Sequence, residues 1–292
     1  MKPAPFDYHR PATLDEALER LAAGGGDAKP LAGGQSLIPA MNFRLARPAI
    51  LVDLNGLAEL AYIRAEADGL KIGAMTRQHA VETSEVVRRR APLVHEAMPF
   101  VAHRQIRNRG TVGGSIAHAD PAAELPAVML ALGARFQVRS RVSTRSLAAD
   151  EFFTGLFATA LAPDELLVEI AVPALAPESG CAFTEVARRH GDFALAGVAA
   201  VMTLDSGGRC RAVRIALCSV GDGPVLARAA AAVLDGQVPT PEAIRAAADA
   251  AARRDVDPPG DIHASAAYRR HLAGVLTRRA LERAGERARG AV

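Results

Sequence analysis

The sequence predicts an α+β fold in two parts, on three observations. Residues 1–55 read strand, helix, strand, strand, a small α/β unit. Around residues 174–180 the pattern breaks at Pro173, Pro177, Ser179 and Gly180, the composition of an exposed boundary. Beyond the break the order is three strands and then three helices. A chain of 292 residues can hold two domains with sizeable cores. The expected division is a first domain at 1–176, made of subdomains 1–55 and 56–176, and a second domain at 177–292.

In chain order, Phe6 and Tyr8 begin an edge strand. Thr13 is an expected N-cap, and Glu16 three residues later completes a capping box. Leu14, Ala17, Leu18 and Leu21 then share one helical face. Gly24-Gly25-Gly26 ends that helix and is no phosphate loop, since no strand precedes it and no Lys-Ser/Thr follows. Residues 29–32 read as a strand, 39–47 as a loop or helical turn, and 49–54 as a buried strand. Runs at 60–66 and 70–74 flank Ala67-Asp68-Gly69, a hairpin signal. Thr76 is expected to cap a helix reaching Ser84, and Pro92 and Pro99 break the helical stretch 85–101. Pro121 is expected at the first position of a helix running to Leu132, where Gly133 ends it. Strands at 134–142 and 165–172 flank a helix near 147–153. The second part places strands at 181–188, 194–204 and 209–219, the last two joined by Ser206-Gly207-Gly208. Helices follow near 224–235, 241–254 and 265–287.

Composition narrows the function. The net charge is only +3, and arginines such as Arg278, Arg279 and Arg283 in the last helix carry part of it. A nucleic-acid binder calls for a concentrated basic face with stacking aromatics, and aromatics are only 4% here. Cys181, Cys210 and Cys218 form no Cys-x-x-Cys pair and cannot ligate an iron–sulfur cluster, so buried free thiols are expected. His79, His95 and His103 lack metal-ligand spacing, and no metal site is expected. Met1 to Arg10 contain no apolar signal region, and no run reaches the roughly 20 apolar residues of a membrane span, so a cytoplasmic location is expected.

Two glycine pairs carry the chemistry. Ala32-Gly33-Gly34-Gln35-Ser36 and Thr111-Val112-Gly113-Gly114-Ser115 each place two glycines before a small polar side chain. Glycine admits positive φ and close ligand approach, and successive bare amides in such turns bind anions. The pair is therefore read as two turns cradling a diphosphate. Ser36, Thr111 and Ser115 can add hydroxyls and Gln35 an amide, while Asp120 and Glu124 can accept from sugar-type hydroxyls or complement a helix dipole. There is no Gly-x-Gly-x-x-Gly between a strand and a helix, and no Walker sequence. Ser36 and Ser115 lack a nucleophile-elbow context, so hydrolysis is rejected and no catalytic side chain is assigned. His118 is expected to be a hydrogen-bonded structural residue, and His190 the same.

These motifs, with residues 106–110 leading into the second and Asp120-Pro121-Ala122-Ala123-Glu124 following it, resemble the FAD-binding medium subunit of the molybdenum hydroxylases. That group includes the flavoprotein subunits of carbon monoxide dehydrogenase and xanthine dehydrogenase. Arg188-Arg189-His190-Gly191-Asp192-Phe193-Ala194 resembles the family's loop beside the flavin ring, and residues 261–270, with Tyr268-Arg269-Arg270, the start of its last helix. The resemblance implies FAD as cofactor, a two-subdomain PCMH-type FAD-binding domain, and a C-terminal domain of a three-stranded antiparallel sheet with helices. It implies that residues 32–36 and 111–115 hold the diphosphate and that Glu124 binds FAD as a hydroxyl acceptor. It places Leu167 near the flavin and Asp192-Phe193 beside the isoalloxazine, although Phe193 equally suits a sheet core. The implied role is electron transfer from a [2Fe–2S] small subunit, fed by a molybdenum-cofactor large subunit, to NAD⁺, oxygen or a quinone. The implied assembly is a heterohexamer of two trimers. A free-standing FAD-dependent oxidoreductase and a non-redox assembly module are the alternatives. One departure stands out: the family often has a lysine just before the Arg-Arg loop, where this chain has Thr184-Glu185.

Overall fold

Thr13 does what its position requires. Its hydroxyl accepts from the Glu16 amide at 3.2 Å and starts the helix Leu14–Gly24. The Glu16 carboxylate reaches back to the Ala12 amide, one residue before the cap, at 2.9 Å. Leu14, Ala17, Leu18 and Leu21 are all buried, as the spacing demands. The computed structural model containing this helix describes residues 1–290, and the last two residues of the expected second domain, 291 and 292, lie outside the described residues.

The helix lies in a unit with three parallel strands, β1 (Asp7–His9), β2 (Ala28–Leu31) and β3 (Ile50–Asp53), in the order β1-β3-β2. Next come the hairpin strands β4 (Ile63–Glu66) and β5 (Gly69–Gly73), then β6 (Arg135–Arg139) and β7 (Thr144–Ala148). The pair β8 (Phe153–Gly155) and β9 (Ala158–Thr159) precedes β10 (Leu166–Pro173). A five-stranded antiparallel sheet, β4-β5-β10-β6-β7, results. The polar edge strand β7 and the short β8–β9 pair were not expected; residues 144–148 are largely exposed and show no apolar alternation, and the helix near 147–153 shrinks to Ala149–Phe152.

The last sheet is β11 (Ser179–Ala187), β12 (Ala194–Leu204), β13 (Cys210–Cys218) and β14 (Val225–Leu226), antiparallel throughout. It has a fourth strand rather than three because Val225 and Leu226 pair with Leu217 and Ala216, and the helix expected from 224 starts only at Arg228. All eleven residues of β12 are buried, because both faces are covered. Ala196, Val198, Ala200 and Met202 face the core that includes the last helix, Ala266–Ala288. Ala199 and Val201 face the opposite core with the helix Glu124–Leu132, whose nine residues are all buried. That helix therefore sits between the two larger sheets. Cys181, Cys210 and Cys218 are free and buried, as expected.

Three local expectations are corrected. Thr76 caps no helix. Its hydroxyl donates to the Tyr62 carbonyl at 2.9 Å and accepts from the Tyr62 amide at 3.0 Å, and the helix Gln78–Glu82 starts after Arg77. Pro121 is not the first helical residue, because Asp120 accepts from the Ala122 amide at 2.9 Å and makes a turn, so the helix begins at Glu124. Most consequential, Gly113-Gly114 is not a turn but lies in the first turn of the helix Val112–His118.

Candidate cofactor site

The first glycine pair follows β2 and enters the helix Leu37–Asn42. Gly34 has φ +72°, a left-handed conformation that glycine adopts without strain. Gly33 is needed for a different reason: an added Cβ would meet the Arg109 carbonyl and lie 2.7 Å from Gly110 Cα. The two motifs therefore touch backbone to backbone. Among the described residues, the amides of Gly34, Gln35 and Ser36 meet no internal acceptor. The Gln35 side-chain amide folds back to the Gly33 carbonyl at 3.0 Å and tightens the turn, and Ser36, exposed, leads into the next helix without capping it.

The second pair uses its amides internally. Thr111, 2% exposed, is the N-cap, and its hydroxyl accepts from the Gly114 amide at 3.0 Å. The Val112 amide donates to Thr76 O at 3.0 Å, Gly113 to Ala74 O at 2.9 Å, and Ser115 to Thr111 O at 3.2 Å. Its glycines serve close packing. A Cβ on Gly113 would lie 2.7 Å from Ala74 O, and one on Gly114 would lie 2.6 Å from Thr111 Oγ1 and 3.4 Å from Ala32 Cβ. The expectation of bare amides at both pairs holds only for the first.

Beside the first motif, with Arg109 from the segment ahead of the second on its wall, lies a cleft of about 490 Å³, within the usual range for a ligand pocket. It is lined by Ala32, Gly33, Gly34, Gln35, Arg109 and the apolar side chains of Leu31, Ile38 and Pro39. Tyr8, Asp53 and Asn55 complete the wall, and none of them was read from the sequence as a site residue. They form a network. The Tyr8 hydroxyl donates to Asp53, the Asn55 amide donates to Asp53 Oδ1 at 2.9 Å, and Asn55 Nδ2 donates to Ala32 O at 2.9 Å. Burial alone would raise the Asp53 carboxyl, but the Tyr8 hydroxyl and Asn55 donors outweigh it and hold it below the usual carboxylate range. These residues lie on two separate segments, Tyr8 on β1 and Asp53 and Asn55 at and just past the end of β3, with no common spacing; the one signal was Asn55 just after a buried strand.

The other expected site residues lie apart from the cleft walls. Glu124, 6% exposed, heads the helix between the sheets, and burial pushes its carboxyl up to about 7. Glu185 on β11 is opposite Gly197, which is opposite Cys218. A Cβ on Gly197 would be 2.6 Å from Cys218 Sγ and 3.6 Å from Glu185 Cγ. Burial, followed by the Glu124 charge, pushes Glu185 up to about 9, and its Oε2 is buried without a partner. Thr184 donates to Leu276 O at 3.2 Å. Glu185 thus holds, beside Thr184, a carboxyl that burial keeps protonated at neutral pH. Leu167 is 6% exposed and belongs to the core cluster beside a bulge in β10. Asp192 pairs with Arg188 at 3.3 Å, and Phe193 is 71% exposed, so it is no sheet core residue. Gly191 in the same loop packs on the His103 ring. His118 packs against the Phe157 ring at 5.1 Å, and burial lowers its pKa.

Residues 4–175 match the family described as the FAD binding domain in molybdopterin dehydrogenase, and residues 181–284 match the CO dehydrogenase flavoprotein C-terminal domain. The chain belongs to this family. Among relatives of this FAD-binding subunit, the caffeine dehydrogenase subunit beta of Pseudomonas sp. (strain CBB1) is 44% identical over 98% of the chain and 97% of its own length. The 6-hydroxypseudooxynicotine dehydrogenase complex subunit alpha of Paenarthrobacter nicotinovorans is 43% identical over 99% and 97%. In structure, the flavoprotein superposes on a chain of carbon monoxide dehydrogenase from Hydrogenophaga pseudoflava with a TM-score of 0.95, at 43% identity, covering 98% of this chain and 99% of that one. It is thus an FAD-binding subunit of an oxidoreductase of the molybdenum hydroxylase type, and its relatives are subunits of multi-subunit dehydrogenases. Among the described residues, no helix is long and apolar enough to cross a membrane.

Proposed function

We propose that this subunit carries electrons through FAD, from a [2Fe–2S] small subunit fed by a molybdenum-cofactor large subunit, to an external acceptor that is NAD⁺, oxygen or a quinone. The observation that carries the reading is the cleft lined by Gly34 and Gln35, whose amides are open, and by Arg109 from the segment that leads into the second motif. The chemistry of this wall fits a dinucleotide: unspent donors for a diphosphate, hydroxyl and carboxylate groups for sugar hydroxyls, and apolar side chains for a ring. Bound FAD supplies the redox chemistry, and the protein supplies binding, orientation and electrostatics.

In this reading residues 32–36 and 111–115, with Asp120 and Glu124, contact the cofactor, and Leu167, Asp192 and Phe193 lie toward its ring. Residues 1–176 form the FAD-binding domain and the remainder the C-terminal domain, and the assembly is two trimers in the cytoplasm. The three buried thiols favour clusters on a separate chain, since they are dispersed and cannot ligate one together.

The test is purification of the tagged chain from its native host. Iron–sulfur and molybdenum polypeptides are expected to co-purify, with FAD reduced by substrate in the complex but not in the isolated subunit. An isolated chain that oxidises a substrate by itself contradicts the reading.

A further inference from the structure

One cation lines the cleft and a second bonds to that residue's backbone, and neither was read from the sequence as a ligand contact. Arg109 lines it, exposed, beside Gly33, Gly34 and Gln35. Arg77 stands half-buried behind. It donates to Asn55 Oδ1 at 2.6 Å and to the Arg109 carbonyl, and Asn55 in turn holds the Ala32 carbonyl. Arg77 thus ties both glycine segments together through neutral acceptors. Among the described residues, neither guanidinium is in a salt bridge. The nearby carboxylate, Asp53, has its oxygens turned to Tyr8 and Asn55.

Two like charges held close, with only one spoken-for carboxylate beside them, leave the wall positive. Burial and the Arg109 charge both act against the Arg77 cation. An anion seated on the open amides of residues 34–36 would relieve that repulsion. The diphosphate of FAD has the matching charge. The spent amides of the second motif cannot supply it.

We propose that Arg109 provides the counter-charge for the cofactor diphosphate at the first glycine turn, and that Arg77 is the positioning residue that fixes Arg109 and the turn against each other. The proposal rests on the reading of that turn as the diphosphate seat. It assigns the second motif to packing and side-chain contacts.

The test titrates FAD into the full-length apoprotein at several salt concentrations, with riboflavin, which has no phosphate, alongside. Arg109→Met is expected to weaken FAD about tenfold to a hundredfold, the size of a lost charge-assisted bond. It should also flatten the fall of affinity with salt that wild type shows. Riboflavin affinity should not move. Arg109→Lys should recover the salt dependence, and Arg77→Met should weaken FAD less than Arg109→Met. Wild-type FAD affinity and salt slope in Arg109→Met overturn the proposal, as does a parallel loss of riboflavin, which marks a structural role. Gly34→Val separates the two readings. Loss of FAD there with Arg109→Met unaffected rejects only the counter-charge, whereas retained FAD rejects the seat itself.

Discussion

The two Gly-Gly pairs look interchangeable in sequence and are opposites in structure. At Gly33-Gly34 the chain needs a left-handed residue and room for another backbone, and three amides remain unspent. At Gly113-Gly114 the amides are consumed by Thr76, Ala74 and the Thr111 hydroxyl, and the missing side chains let a helix sit against Ala74 and Ala32. In the proposed reading the first pair offers its amides to the cofactor, while the backbone of the second holds the wall in place. Glycine in a motif thus reports close approach without saying whether the visitor is a ligand or the protein itself.

The sharpest way to break that contrast is at Gly33. Gly33→Val drives a side chain into the Arg109 carbonyl and Gly110, spreading the cleft. Absorbance of the purified variant should show no retained FAD, with far-UV circular dichroism close to wild type; FAD occupancy equal to wild type would contradict the contact as the hinge of the site.

Gly113→Ala should act on stability instead. Its Cβ would crowd Ala74 O at 2.7 Å, in a site with no flexible neighbour to give way. Overpacking of this kind costs about 1–3 kcal/mol. For a chain of this size, calorimetry should show Tm lowered by roughly 2–4 °C for each kcal/mol. A variant that keeps its Tm while losing FAD would mean that the second pair, too, is a ligand seat.

The buried carboxyls Glu124 and Glu185 give a pH-dependent effect. Glu185 is raised to about 9 from an ordinary 4.5, so the folded protein binds more protons than the unfolded chain between those values. Its contribution is fully present below about pH 4.5 and declines as pH rises toward 9. Glu185→Gln, neutral at every pH, should therefore flatten the fall of Tm between pH 6 and 9. An unchanged slope would place the carboxyl in solvent contact.

The smallest effect belongs to Phe193. With 71% of it exposed, Phe193→Ser should change stability by no more than about 0.5 kcal/mol in chemical denaturation. A shifted spectrum of the bound flavin would support its place beside the ring, and a large loss of stability would show that it packs after all.

Much of this was legible beforehand, where local pattern and tertiary context agree. Strand β12 is found where its continuous apolar run predicts, and Thr13 caps the helix it should. The helix at Val112 was not legible, because two glycines each cost about 1 kcal/mol relative to alanine in a helix. Contacts from Thr76 and Ala74, distant in sequence, outweigh that penalty. The Tyr8–Asp53–Asn55–Arg77 network was hidden for a similar reason: its members come from separate segments that the parallel sheet and the turn after it bring together. Glu185 was visible only as a departure from a family pattern, and its burial against Gly197 and Cys218 required the strand register.

The proposed seat of the cofactor is the first glycine turn, against the segment that leads into the second. A crystal structure of the FAD-loaded chain tests it most directly. Diphosphate density is expected within hydrogen-bonding reach of the Gly34, Gln35 and Ser36 amides. Diphosphate density elsewhere on the chain, with those amides facing only water, would contradict it.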